Sequence, residues 1–82
     1  MTIPELKAAC KTAGLPLRIR KASGSMRGTL VVSSDTVAWS AEVADQMNLL
    51  GFRDFCGNSL TEKSVRGGAG WLHDYFRHSE VV

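Results

Sequence analysis

Eighty-two residues leave room for one domain, spanning 1–82, with one core, and exclude a catalytic domain joined to a regulatory one. A hydrophobic content of 44% with 22% charged residues excludes wholesale disorder; with no apolar run near the ~20 residues of a membrane span and no long apolar leader in MTIPELKAACK, the chain reads as soluble and cytoplasmic. The net charge of +2 is unevenly spread, six basic groups against one acidic in residues 1–34 and four against seven in residues 35–82, a dipole suited to steering toward a charged partner.

Thr2 offers a helix cap, with Pro4 in the first turn and Glu5 three residues on as in a capping box. Ile3, Leu6, Ala9, Cys10 and Ala13 form an apolar stripe, Lys7 and Lys11 lie on the solvated side, and Gly14 followed by Leu15 and Pro16 ends the helix. Residues 15–33, LPLRIRKASGSMRGTLVVS, write a β-hairpin: a strand over 17–22, the connection SGSMRG, and a second strand over 29–33. Alternation sends Leu17 and Ile19 toward a core and Arg18 and Arg20 to the other face; Lys21 and Arg27 bring the cations to four within ten residues. Ser33, Ser34 and Asp35 carry capping oxygens, so a second helix starts there or at Ser40.

Trp39, Val43, Met47 and Leu50 step by four, four and three, a core-facing stripe closed by Gly51, with Phe52 packing back on Met47. A short third strand follows over residues 52–56, and residues 57–70 read as a surface loop. Trp71, Leu72, Tyr75 and Phe76 recur at helical spacing and predict a C-terminal helix over residues 69–78. The predicted fold is α+β, in the order helix, strand, strand, helix, strand, helix. Two to three helices cover one face of a two- to three-stranded antiparallel sheet, and the other face carries arginines.

His73 and His78, five apart on a helix, diverge and make a poor metal pair, and Asp74 with His78 reads as a surface ion pair. Cys10 and Cys56 are too far apart for a C-x-x-C pair and read as buried free thiols. Ser23, Ser25, Ser59 and Ser64 serve turns, and SGSMRG lacks the Lys-Ser/Thr of a phosphate loop, so no catalytic constellation, metal or cofactor is expected. The main candidate is a basic surface of Arg18, Arg20, Lys21 and Arg27, facing nucleic acid or an acidic protein, or else a solvated outer face that keeps the sheet soluble. Arg66, beside Gly67, Gly68 and Gly70, is a secondary candidate for holding an anion. Trp71 and Tyr75 are secondary candidates as a stacking platform for unpaired bases, although in so small a domain they read first as core.

The blocks LRIRKASGSMRGTLVV and SVRGGAGW resemble the phage and mobile-element domains called large polyvalent protein-associated domains, in which a cationic strand, a Gly/Ser/Arg turn and a second strand precede a helix; the likeness spans residues 15–72. Short proteins of this origin include anti-CRISPR inhibitors, which this chain resembles in being a single compact domain without a cofactor. The resemblance implies a non-enzymatic protein that inhibits a host defence protein or nucleoprotein complex, a CRISPR–Cas effector foremost. The alternative is a nucleic-acid-binding accessory module using the same basic strand, and an enzyme is third. No binding positions follow from the resemblance; the basic surface rests on charge and alternation alone.

Overall fold

Two helices lie on one face of a four-stranded antiparallel sheet, in the chain order α1 (Ile3–Thr12), β1 (Arg18–Lys21), β2 (Thr29–Ala38), α2 (Ala41–Leu49), β3 (Phe52–Arg53) and β4 (Trp71–His78). The computed structural model describes residues 1–22, 24, 28–65, 71–78, 80 and 81. Across the sheet the strands run β1-β2-β4-β3, so the long β2 and β4 form the centre and the short strands the edges.

The first helix starts as its sequence dictates. Thr2 Oγ1 accepts the Glu5 amide at 3.3 Å and donates to the Glu5 carboxylate at 3.0 Å, satisfying a backbone donor that the helix itself cannot. It stops at Gly14, whose φ of +80° lets Gly14 N–H reach Lys11 O and Leu15 N–H reach Cys10 O, so two of the last carbonyls gain partners. Ser40 caps α2 through its hydroxyl, which accepts the Val43 amide at 3.2 Å.

Ser33, Ser34 and Asp35 do not start that helix; they lie inside β2, which runs five residues beyond the predicted end. Ser34 still acts as a cap, but of a bulge. Between the pairs Ser33↔His73 and Ala38↔Trp71 the register slips, and the Ser34 hydroxyl accepts the freed amides of Thr36 and Val37 at 3.2 and 3.1 Å.

The predicted C-terminal helix is a strand. The pairs Trp71/Leu72 and Tyr75/Phe76 fit a period of two as well as one of 3.6, and β2 needs a partner on the side that β1 leaves open. The fold is therefore α+β with two helices and four strands, closing on strand β4 where a third helix was expected. The third strand stops after two residues because Asp54 Oδ1 takes the amides of Cys56 and Asn58 at 2.9 and 2.8 Å, turning the chain away from the sheet.

Leu6 and Cys10 of α1, Ala44 and Met47 of α2, and the inward-facing Ile19, Leu30, Val32, Leu72 and Phe76 share one core, which places both helices on the same side of the sheet. Phe76 is its centre, 5.8 Å from the Trp39 ring and 6.4 Å from Phe52. The loop after β3 is not a plain surface excursion: Leu60 and Val65 are buried, and the Asn48 amide exchanges two 2.8 Å hydrogen bonds with the Leu60 backbone, tying the loop to α2. Met47→Ala is expected to cost about 2–4 kcal/mol and Gln46→Ala, on the solvated side, no more than about 0.5, as read from urea denaturation. Equal losses would mean the helix is rotated.

Candidate nucleic-acid interface

Antiparallel pairing puts directly opposed residues on the same face, so the register fixes the composition of the sheet side that no helix covers. One row is Arg18, Ser33 and His73; the next is Arg20, Val31 and Tyr75; the third is Thr29, Arg77 and Arg53. Trp71 continues the outward set of β4 beyond His73. Phe55, two residues after Arg53, folds onto the same face: its ring lies 6.4 Å from that of Tyr75, edge to face, and the Arg77 guanidinium sits 5.4 Å from its centroid.

Of the five large hydrophobic side chains exposed among the described residues, three belong to this face: Trp71 at 66%, Phe55 at 53% and Tyr75 at 48% exposure. Trp71 and Tyr75 are thus not core, the place their spacing first suggested. Alternation along a strand sends Leu72 and Phe76 inward and their neighbours out, whereas a helix would have put all four on one stripe.

The cations sort unequally. Arg18 and Arg20 stand on the open face as alternation predicts, but Lys21 is paired with the inward-facing Leu30 and projects to the helix side, apart from the two arginines. Arg27 and Arg66, with the glycines after Arg66, lie outside the described residues. Arg18 forms an ion pair with Asp35, both side chains exposed, so the carboxylate screens one of the face's charges. Arg53 is drawn round the sheet edge, its guanidinium donating to Asn48 O at the end of α2, where the helix dipole favours a cation. His73, weighed in the sequence only as a metal ligand, stands exposed between Trp71 and Tyr75.

His78 faces inward and is buried. Its Nδ1 accepts the Glu80 amide at 3.2 Å, so Nε2 carries the hydrogen and donates to Leu50 O at 2.8 Å; it is a structural tie between β4 and the end of α2, not the partner of Asp74 that helical spacing suggested. Among the described residues no cluster of His, Cys, Asp and Glu is placed to hold a metal ion, and no helix is long and apolar enough to cross a membrane.

The cysteines differ. Cys10 is buried as expected, and burial pushes its thiol pKa up; Cys56 is exposed, because the Asp54 turn carries it away from the core. A thiol reagent is expected to label Cys56 rapidly in the native protein and Cys10 only on unfolding. With the folded pKa of Cys10 above its unfolded value, its contribution to stability is full below the ordinary thiol range and declines as pH rises through it.

The residues of this face that sequence reasoning passed over are Phe55, His73 and Arg77; the outward alternation Trp71, His73, Tyr75, Arg77 signals His73 and Arg77 once β4 is recognised as a strand, whereas Phe55 arrives through the turn at Asp54. No family model, curated protein or solved structure matches this chain.

Proposed function

We propose that the open sheet face binds single-stranded nucleic acid, in the manner of a non-enzymatic accessory module acting in the cytoplasm. The observation that carries this reading is the gathering of Trp71, Tyr75 and Phe55, all about half exposed or more, on the face that also bears Arg18, Arg20 and Arg77. Exposed aromatic faces offer stacking surface to any base, and arginines neutralise the backbone that links the bases. Along β4, Trp71, His73 and Tyr75 succeed one another every ~6.6 Å, a step close to one nucleotide of an extended, unstacked strand. A duplex hides its base faces in the stack and asks for an element that enters a groove, which a flat sheet face is not.

The second reading keeps the same face and exchanges the partner: Trp, Tyr and Arg are also the residue types that anchor protein interfaces, as inhibition of a host defence complex would need. The two separate on salt. Anisotropy of labelled oligothymidylate and oligouridylate of about twelve nucleotides is expected to show binding that weakens linearly on a log–log salt plot, by about 0.7 per phosphate neutralised, and outcompetes a duplex of equal length. Absence of binding at low salt, with restored phage infection of a CRISPR-bearing host, would replace the nucleic-acid reading with the inhibitor.

A further inference from the structure

The cationic side of the open face continues over the sheet edge to α1. Lys7 of α1, Arg18 and Arg20 of β1, and Ser33 of β2 line an open groove of about 420 Å³. Lys7 belongs to a different element from the arginines and carries no signal in the sequence beyond its place on the solvated side of a helix. Three cations converging on one groove repel each other, and an anion entering it relieves that repulsion. One of them is already answered from within: Arg18 holds Asp35, with the two side chains 72% and 71% exposed.

Resting on the nucleic-acid reading above, we infer that this groove is the track for the sugar–phosphate backbone of a strand whose bases lie on β4, and that Asp35 competes with phosphate for Arg18. The arrangement fits the dimensions of the sheet. From β1 to β4 is two strand spacings, about 10 Å, which a nucleotide and a long cationic side chain bridge together. Ser33 of β2, half-buried, lies between and offers its hydroxyl to the sugars, while Val31 beside it is buried and only fills the floor beneath Arg20 and Tyr75. The aromatics and the cations then have separate tasks, base stacking on β4 and charge neutralisation at the β1 edge.

The test uses two labelled probes of equal length at low salt: oligothymidylate, and a base-free strand of abasic sugar phosphates. Asp35→Asn is expected to tighten both about 3-fold or more and to steepen the salt slope by about 0.7, the release of one phosphate site. Lys7→Ala and Arg20→Ala weaken both probes about 3- to 10-fold with a shallower slope, whereas Trp71→Ala weakens the base-bearing probe and leaves the abasic one unchanged. Lys63→Ala, an exposed cation of the loop tied to α2 and no part of the groove, serves as control. If Lys63→Ala costs as much as Lys7→Ala, net charge and not the groove is at work, and the track is wrong. If Asp35→Asn and Lys7→Ala change neither probe while Trp71→Ala still weakens oligothymidylate, the track is wrong and the stacking face stands. If the wild type binds neither probe, both fall. Circular dichroism of each variant guards against misfolding, which loss of an exposed ion pair does not bring about.

Discussion

Replacing Trp71 and Tyr75 together by alanine is expected to weaken oligothymidylate binding by about two orders of magnitude or more while lowering the melting midpoint less than truncation of the single core tryptophan. Each base stacked on an aromatic is worth about 1–3 kcal/mol by such truncation, and the two side chains stand four residues apart on β4, far enough to serve different bases. The loss of stability is smaller than for a core ring because Trp71 is 66% and Tyr75 48% exposed, so only part of each side chain's apolar area leaves a buried environment. Trp39 is the contrasting case. It is 3% exposed, packs against Phe76 and donates its indole N–H to Glu62 O at 2.9 Å; Trp39→Ala should cost about 3–5 kcal/mol of folding free energy and affect binding only through unfolding. Anisotropy titration and thermal melting of the same samples read both quantities. If the Trp71 and Tyr75 variants melt as early as the Trp39 variant, the outward aromatics are structural.

The second large effect falls on folding. Gly51→Ala should destabilise the chain by about 2–4 kcal/mol, through strain in a left-handed backbone and loss of a buried hydrogen bond. Gly51 sits at φ +95°, and a Cβ built there would lie 2.7 Å from His78 Nε2, the atom that donates to Leu50 O. The imidazole has no free space to swing into, since it is buried with its ring edge-on to Phe52 at 5.4 Å. Moving it leaves Leu50 O without its imidazole donor and loosens β4 at the end that carries Arg77 and Tyr75. Gly57 makes a clean control: its φ is +88°, but nothing lies within 4 Å of a Cβ there, so Gly57→Ala carries the backbone term alone, about 1 kcal/mol. Urea denaturation of the pair measures the difference, and equal losses would show that His78 yields without cost.

Local signals made the helices and the hairpin faces readable. Thr2, Gly14, Ser40 and Gly51 mark helix ends through chemistry confined to a few residues, and the alternation of Leu17, Arg18, Ile19 and Arg20 needs only the pleat of a strand. What escaped depends on distant partners. Ser34 has the chemistry of a helix cap, and only the bulge opposite β4 decides which amides it caps. In β4 the inward-facing Asp74 interrupts the apolar alternation of Leu72 and Phe76, so a helical period matches the remaining residues equally well until β2 demands a pairing partner. Misreading that one element turned the two exposed aromatics into core. The candidate site was accordingly half legible: Arg18 and Arg20 followed from alternation, whereas Phe55 and Lys7 reach it only through a turn and a helix packing that no local pattern encodes.

The chain's two tryptophans provide a direct measurement on the binding face, because one indole belongs to the open sheet and the other to the core. In a proton–nitrogen correlation spectrum each gives a separate indole N–H signal, and titration with unlabelled oligothymidylate at low salt should shift that of Trp71 progressively to saturation while that of Trp39, held by Glu62 O, stays in place. A Trp71 signal that remains fixed at oligonucleotide concentrations saturating any observed binding would contradict the assignment of the open sheet face as a nucleic-acid platform.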